Sequence, residues 1–265
     1  MTLQLGEPIA RGGRSTVYAW GDDAVAKVPM PDTPDAWIRT EAGYTAAVYD
    51  AGAPVPEFLG FEENEGRTIS IYRRANGVLM LDSLLGDLDR VVEYAHLLAE
   101  LQVRFASLVP PIVLPDQLDR LRSKIRVAAQ RVDESFEAAL DAVPPVTRVA
   151  VCHGDLHPAN VILTDDGPVV VDWFDASRGD PVADVARSTI LLAQADELDH
   201  PDPDIHALVT RFVDAYVDAA ANAFGFDEGT LAQWRAVVAV ARIAEGMPVD
   251  PLRDVWLQWV SNTTR

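Results

Sequence analysis

The spacing of apolar residues divides the chain into an extended first part and a mostly helical remainder. Residues 9–18 contain two extended runs separated by small residues, and 24–28, 57–62 and 67–72 form further extended runs, which predicts paired β-strands. Between them, residues 35–51 place apolar side chains at helical spacing, which predicts one amphipathic helix. Further predictions are a strand over 147–152 and helices over 87–108, 116–143, 181–193, 202–224, 228–245 and 251–260. The pattern therefore predicts an α+β fold whose two parts meet at residues 73–77.

One stretch inside the helical part has a different pattern. Two short apolar runs, 161–163 and 169–171, flank a turn that ends in Gly167. Because glycine supplies the positive φ that closes such a turn, the two runs predict a hairpin. Asn160 and Asp172 then lie close together at its open end. Carboxylate and carboxamide oxygens are hard ligands, and such a set suits Mg²⁺ better than zinc.

The loop before that hairpin holds another carboxylate. Asp155 follows the predicted strand, and His153, Asp155 and Asn160 have the H-x-D-x-x-x-x-N spacing of phosphoryl-transfer loops. This chemistry needs one group that orients the attacking hydroxyl and accepts its proton, and Asp155 suits that task. It also needs metal ligands, which Asn160 and Asp172 provide. A loop whose polar residues only fill turns is the alternative.

Two histidines flank Asp155. His157 lies two residues beyond it and points to the same side, towards the place of a transferred phosphoryl group, whereas His153 suits a hydrogen bond within the loop. A zinc site is another use of a histidine cluster. Only Cys152 is near, however, and the spacings do not fit a closed zinc site.

The first part of the chain supplies a second group of candidates. Gly12 and Gly13 precede Ser15 in a loop between predicted strands, where backbone amides can approach phosphates, although an ordinary tight turn uses the same residues. Lys27 lies on a predicted strand and Glu41 on the following helix. An ion pair between them would aim the ammonium group at phosphates. A solvated lysine is the alternative.

Composition changes the picture mainly through charge. The formal net charge is −19; residues 1–75 hold 11 acids and 7 bases, net −4, which leaves −15 for residues 76–265. We expect no nucleic acid or membrane partner, because both repel an acidic surface, whereas a cationic small molecule is attracted to it. Solubility alone also explains an acidic surface. The single cysteine, the start without a signal-peptide pattern and the lack of a roughly 20-residue apolar run predict a cytoplasmic protein.

Together these residues resemble those of the aminoglycoside phosphotransferase and choline kinase group of small-molecule kinases, which share the protein-kinase fold. The resemblance runs in order along nearly the whole chain: the glycine loop, Lys27, Glu41, residues 73–77, His153-Gly154-Asp155-Leu156-His157-Pro158-Ala159-Asn160 and Asp172. Histidine at 157 and the run Gly179-Asp180-Pro181-Val182-Ala183-Asp184 resemble the antibiotic-kinase branch. Ala10 and Ser15 replace two glycines of the protein-kinase glycine-loop pattern.

The resemblance implies a bilobal protein-kinase-like fold. Residues 1–72 would form a small, β-rich, nucleotide-binding N-terminal lobe with one helix. Residues 73–77 would be a hinge, and residues 78–265 a larger, mostly helical C-terminal lobe with the catalytic loop and the acceptor site.

The resemblance also implies a role for each candidate residue. Asp155 would be the catalytic base or hydroxyl-orienting group, and Asn160 with Asp172 would bind Mg²⁺. Asp180 and Asp184 would cap a helix and brace the catalytic loop. The candidates for binding ATP or GTP are Gly12, Gly13, Ser15, Lys27, Glu41, Arg73, Arg74, Ala75 and His157.

The reaction implied is transfer of a phosphoryl group from ATP or GTP to a hydroxyl of a small molecule, an aminoglycoside-like or other cationic antibiotic. A metabolic kinase for a sugar or an amino alcohol is an alternative, and a non-catalytic nucleotide-binding protein of kinase fold is another. Acids that contact the acceptor would come from the helical part. The candidates, each of which also suits a surface charge, are Asp175, Asp196, Glu197, Asp199 and Glu245.

Overall fold

The computed structural model describes residues 5–64, 66–199 and 203–263. Contacts between residues divide the chain into two compact units. The first unit contains the residues up to Ser83 together with Ala159–Asp175, and the second contains Leu84–Pro158 and Ala176–Arg265. A five-stranded sheet and a mostly helical remainder confirm the predicted fold class.

The first unit contains the strands β1 (Pro8–Arg11), β2 (Ser15–Trp20), β3 (Ala24–Pro29), β4 (Phe58–Asn64) and β5 (Arg67–Arg73), and the helix α1 (Asp35–Asp50). These strands form an antiparallel sheet in the order β1-β2-β3-β5-β4. Small and β-branched residues that face one side of its central strands, including Ala26, Ile69 and Ile71, are buried. The single helix of the sequence prediction, α1, follows β3 and contacts β4 and β5.

A second sheet of the first unit joins distant segments. In it, β8 (Val161–Thr164) pairs with both β6 (Gly77–Leu79) and β9 (Gly167–Val170). The β8–β9 pair confirms the predicted hairpin, and Gly167 has a φ of 116° in its turn. The close approach of β6 requires glycine at position 77, since a Cβ there would lie 2.1 Å from the Leu163 carbonyl oxygen. The predicted lobe boundary at residues 73–77 is a functional division and stays a prediction.

Helices make up most of the second unit. Asp116 caps the first turn of α4 (Gln117–Val132), because its carboxylate accepts hydrogen bonds from the amides of Leu118 (2.9 Å) and Asp119 (3.2 Å). Buried aromatic side chains, among them Phe105, Tyr216 and Trp234, pack between the helices. After α2 (Met80–Gly86), the elements are α3 (Val91–Ala106), α4 (Gln117–Val132), α5 (Glu137–Asp141), β7 (Ala150–Cys152), β10 (Ser177–Gly179), α6 (Pro181–Asp199), α7 (Pro203–Phe224), α8 (Glu228–Ile243) and α9 (Val249–Thr263).

Two sequence predictions for the second unit are too long. The helix predicted over 116–143 ends at Val132, because Asp133 adopts a left-handed conformation with a φ of 53°. The strand predicted over 147–152 is limited to Ala150–Cys152. Thr147 instead donates from its amide and its hydroxyl to the Asp180 carboxylate, at 2.8 and 2.9 Å.

Across the described ranges, the helices are too short or too polar for any of them to cross a membrane.

Candidate active site

Lys27 of the first unit is held by two carboxylates. It lies on β3, with its neighbours Ala26 and Val28 buried on the other face of the strand. Its ammonium group donates a hydrogen bond to Glu41 of α1 and lies 3.6 Å from Asp172 Oδ1. Burial would lower the pKa of Lys27, but the charges of Glu41 and Asp172 outweigh it and raise the pKa above its ordinary value. The predicted ion pair of Lys27 with Glu41 is confirmed.

Asp172 follows β9 in an unusual backbone conformation. Its φ is 65°, in the left-handed region that residues other than glycine rarely adopt. The next residue, Trp173, is fully buried and donates from its indole nitrogen to the Val170 carbonyl oxygen at 3.0 Å. This anchor holds the turn, so the Asp172 side chain remains 46% exposed beside Lys27. Strain of this kind is concentrated at functional sites.

A backbone hydrogen bond at the open end of the hairpin keeps Asn160 close to Asp172. The Val171 amide donates to the Asn160 carbonyl oxygen at 3.0 Å, which closes the open end of the hairpin. The Asn160 side chain is buried, and that of Asp172 is half-exposed. Among the described residues, no group of three or more His, Cys, Asp or Glu side chains is arranged to hold a metal ion. A metal at this hairpin would therefore combine Asn160 and Asp172 with oxygens from a ligand or from water.

The glycine loop connects β1 and β2. The Gly12 amide donates to the Ser15 carbonyl oxygen at 2.9 Å, and Ser15 itself is buried as the first residue of β2. A Cβ on Gly12 would have only one ordinary contact and one on Gly13 would meet no atom within 4 Å, so the fold does not require glycine at either position. Their small size is instead suited to a ligand that approaches the backbone closely.

Arg14, at the tip of that loop, packs against two aromatic rings. Its guanidinium carbon lies 5.2 Å from the ring centroid of Trp37 on α1 and 5.5 Å from that of Phe174. The two rings are 5.5 Å apart and tilted by 48°. Cation–π contacts at these distances attach the loop to α1 and to the segment after Asp172.

The predicted hinge begins at the end of β5. The amide of Arg73 donates to the Glu57 carbonyl oxygen at 2.8 Å, and that of Arg74 donates to the Asp23 carbonyl oxygen at 2.9 Å. The Arg73 side chain pairs with the carboxylates of the same two residues. Both amides are therefore engaged in backbone pairing within the first unit, and the segment continues through Ala75 to β6. A role of Arg73, Arg74 and Ala75 in binding the base stays a prediction.

Asp155 of the second unit lies in the loop after β7, with its side chain 28% exposed. One carboxylate oxygen is 3.8 Å from His157 Nε2, and the other is 4.0 Å from Arg187 Nη2. Burial would raise the pKa of Asp155, but His157, Arg187 and His153 together lower it well below its usual range. Asp155 is therefore a carboxylate at any physiological pH.

The backbone of the Asp155 loop is fixed by Asp184 of α6. This buried carboxylate accepts hydrogen bonds from the amides of His153 (3.0 Å) and Gly154 (2.7 Å), and Gly154 has a φ of 77°. The Asp155 amide in turn donates to His153 Nδ1 at 3.1 Å. These contacts confirm the bracing role predicted for Asp184 and the hydrogen bond within the loop predicted for His153.

Asp180 has the predicted capping role. Its Oδ1 accepts a hydrogen bond from the Val182 amide at 2.9 Å, in the first turn of α6. Its Oδ2 is the acceptor for Thr147, so the same carboxylate connects the chain before β7 to the start of α6.

Glu245, one of the candidate acceptor acids, is paired with three cations. Its carboxylate accepts from Lys124 (2.6 Å), Arg187 (2.7 Å) and Arg242 (2.9 Å). Burial would raise the pKa of Glu245, but Arg187 and Lys124 lower it to about 2. A carboxylate already bound by three cations is poorly suited to contact an amino group. Asp175 is half-buried in the first unit, and the side chains of Asp196, Glu197 and Asp199 lie outside the described residues.

Sequence reasoning did not identify Arg187 as part of the site. Its guanidinium contacts Asp155, Glu245 and the Gly154 carbonyl oxygen. The signal in the sequence was a charged residue directly after two apolar ones in a predicted helix, and those two, Val185 and Ala186, are fully buried.

Comparison with known proteins gives a consistent result. The sequence matches the model of the phosphotransferase enzyme family over residues 6–235. No curated protein matches it significantly.

Solved structures share the fold at low sequence identity. An aminoglycoside-3'-phosphotransferase of type VIII has a TM-score of 0.61 and 18% identity, with 90% of this chain and 91% of that chain covered. The GDP complex of aminoglycoside 2'-phosphotransferase-IIIa has a TM-score of 0.58 and 16% identity, with coverage of 98% and 94%. A choline/ethanolamine kinase family protein from Mesorhizobium loti has a TM-score of 0.54 and 17% identity, with coverage of 98% and 87%. Since the family model covers most of its length, the chain belongs to the phosphotransferase enzyme family.

Proposed function

We propose that this phosphotransferase moves the γ-phosphoryl group of ATP or GTP to a hydroxyl of a small molecule. The observation that supports this most directly is the position of Lys27 between Glu41 and Asp172. A lysine kept protonated by two acids, on a strand behind a glycine loop, is suited to bind phosphate oxygens. The GDP complex of the similar aminoglycoside 2'-phosphotransferase agrees with a nucleotide ligand.

Asp155 would orient the acceptor hydroxyl. Its carboxylate stays ionised because His157 and Arg187 are close, so it is a weak base but a permanent hydrogen-bond acceptor. Phosphoryl transfer passes through a loose transition state in which the hydroxyl loses its proton late. Orientation by a fixed carboxylate is therefore more important than strong basicity. The new P–O bond forms as the bond from the γ-phosphorus to the β–γ bridging oxygen breaks, which releases ADP or GDP, and the hydroxyl proton passes to an Asp155 oxygen.

Asn160 and Asp172 fit a Mg²⁺ ion. They are a carboxamide and a carboxylate at one end of a hairpin. The hydrogen bond from the Val171 amide to the Asn160 carbonyl oxygen keeps their backbones adjacent. Mg²⁺ typically takes one or two protein oxygens and completes its octahedral shell with phosphates and water. When bound, the ion would neutralise charge on the nucleotide phosphates.

Replacement of Asp172 by alanine is expected to weaken Mg²⁺-dependent nucleotide affinity by about 10-fold or more, because one of two protein ligands is lost. Calorimetric titration of nucleotide with and without Mg²⁺ measures this effect, and affinity without Mg²⁺ should change by less than about threefold. Asp165→Asn, in the exposed turn of the same hairpin, is the control. Equal affinities of Asp172→Ala and wild type in Mg²⁺ would remove Asp172 as a ligand.

We propose that the acceptor is a cationic small molecule of the aminoglycoside type. The net charge of −19 favours the approach of a cation, and two of the similar structures are aminoglycoside phosphotransferases. An amino alcohol is the second candidate acceptor, because another similar structure is a choline/ethanolamine kinase family protein.

A panel of acceptors separates these candidates. Nucleotide consumption should be stimulated at least about tenfold by one or more aminoglycosides, with either ATP or GTP as donor. Choline, ethanolamine and simple sugars serve as the comparison set. Turnover with members of that set alone would overturn the aminoglycoside proposal, and turnover with none of the acceptors would favour a non-catalytic protein.

A further inference from the structure

One arginine of the second unit connects the loop of Asp155 to two helices. Arg187 lies on α6, one turn after Asp184, and its side chain is only 12% exposed. Its Nε donates to the Gly154 carbonyl oxygen, and its Nη1 and Nη2 donate to Glu245 at 2.7 and 3.2 Å. A guanidinium has five donors in a rigid plane, so these contacts fix its orientation.

Arg187 and Asp184 hold the same residue from opposite sides. Asp184 accepts from the amide of Gly154, and Arg187 donates to the carbonyl of Gly154. That carbonyl belongs to the peptide group whose nitrogen is the Asp155 amide, and this amide donates to His153 Nδ1. The peptide group that precedes Asp155 is therefore fixed at its oxygen and at its nitrogen, which sets the direction in which the Asp155 side chain leaves the backbone.

The guanidinium also acts on the Asp155 side chain. Its Nη2 lies 4.0 Å from Asp155 Oδ1, which is within ion-pair distance but too long for a hydrogen bond. Attraction at this distance holds the carboxylate towards α6, and the charge of Arg187 contributes to the low pKa of Asp155.

Glu245 in turn holds Arg187. This carboxylate, just after α8, also binds Lys124 of α4 and Arg242 of α8. Arg242 is further fixed by a hydrogen bond from its Nε to Gln194. Three helices thus converge on the acid that orients Arg187. The Arg187–Glu245 pair alone would be enough to link α6 to the end of α8. The hydrogen bond from Arg187 to Gly154 and its closeness to Asp155 instead orient the loop.

We propose that Arg187 is a positioning residue that sets the orientation of the Asp155 carboxylate towards the acceptor hydroxyl, and that Glu245 holds Arg187 in place for this task. The inference rests on the proposed phosphoryl transfer. Arg187 acts through the backbone of the loop, by its bond to Gly154, and through its attraction to the Asp155 carboxylate.

Two substitutions at position 187 test this role by kinetics. Arg187→Met should lower kcat about 30- to 100-fold and leave the nucleotide KM within about threefold, since misplacement of a reacting group by about 1 Å costs about 100-fold. Arg187→Lys keeps the charge but loses the planar fork, so its kcat should lie between those of Arg187→Met and wild type. Lys124→Met is the matched control: it removes another cation from Glu245 and leaves the hydrogen bond from Arg187 to Gly154 in place, so a loss below about fivefold is expected.

These kinetic results can also contradict the proposal. A kcat of Arg187→Met within about twofold of wild type would overturn it, and so would equal losses in Arg187→Met and Lys124→Met. If Arg187→Met does not fold, Arg187→Lys is the deciding variant. Wild-type kcat and stability of Arg187→Lys would then overturn the proposal.

A structural measurement separates this inference from the proposed function. Crystal structures of Arg187→Met and Lys124→Met should show the Asp155 carboxylate displaced, or in another rotamer, only in the first. An unmoved carboxylate would overturn the positioning role even if the chain is an active kinase. Absence of turnover by the wild-type chain with every acceptor would instead contradict the proposed function, and with it the purpose of the positioning.

Discussion

Replacement of Asp155 by asparagine is expected to lower kcat by about 10³-fold while nucleotide affinity stays within a few fold of wild type. Asparagine preserves the shape of the side chain and removes its charge. Its amide can still contact a hydroxyl, but it cannot accept the proton, and it no longer attracts His157 and Arg187. General-base groups typically contribute 10²- to 10⁴-fold, and orientation adds to that effect.

Steady-state kinetics and nucleotide titration on the same variant check this prediction. Asp165→Asn makes the same chemical change in an exposed turn and should leave kcat unchanged. The low pKa of Asp155 adds a condition: its carboxylate is charged above pH 4, so no loss of activity between pH 8 and pH 5 should arise from Asp155. A kcat of Asp155→Asn within about threefold of wild type would exclude the assigned role.

Replacement of Lys27 by methionine should lower kcat/KM for the nucleotide by about 10²- to 10³-fold. The variant loses a charge-assisted hydrogen bond to phosphate oxygens. Such a bond is strongest in the transition state, in which charge shifts onto those oxygens. It also leaves Glu41 and Asp172 facing each other without their shared cation, so repulsion adds to the loss.

Glu41→Gln is the informative comparison. It keeps the Lys27 charge, and Lys27 still has Asp172 at 3.6 Å, so a smaller loss of about 10-fold is expected. Because the pKa of Lys27 is raised, its ammonium group stays protonated below pH 10, and nucleotide affinity should not change with pH between 6 and 9 through this group. Lys27→Met with the same kcat/KM as wild type would contradict a phosphate-binding role.

Local sequence patterns were sufficient to predict the elements that hold the site. The turn at Gly167 predicted the β8–β9 hairpin, because positive φ and apolar flanks are properties of neighbouring residues. The pairing of Lys27 with Glu41 was also predictable, since a lysine on a strand is followed by an acid on the next helix, beside its buried stripe.

Contacts between distant segments could not be predicted from local sequence patterns. The pairing of Gly77–Leu79 with Val161–Thr164 groups residues 159–175 with the first unit, and no periodicity indicates it. The end of α4 at Asp133 depends on a left-handed aspartate, which carries no glycine or proline signal. The pair of Arg187 with Glu245 joins side chains 58 positions apart, so only the fold brings it to Asp155.

The most direct test of the account is the fate of the γ-phosphoryl group. Wild-type protein and Asp155→Asn are incubated with Mg²⁺, nucleotide labelled at the γ-phosphate and the acceptor panel, and the label is followed into acceptor and into free phosphate. We expect a phosphomonoester on an acceptor hydroxyl with the wild type, formed about 10³-fold more slowly with Asp155→Asn. Nucleotide binding with no labelled acceptor, or equal labelling by the two proteins, would contradict it.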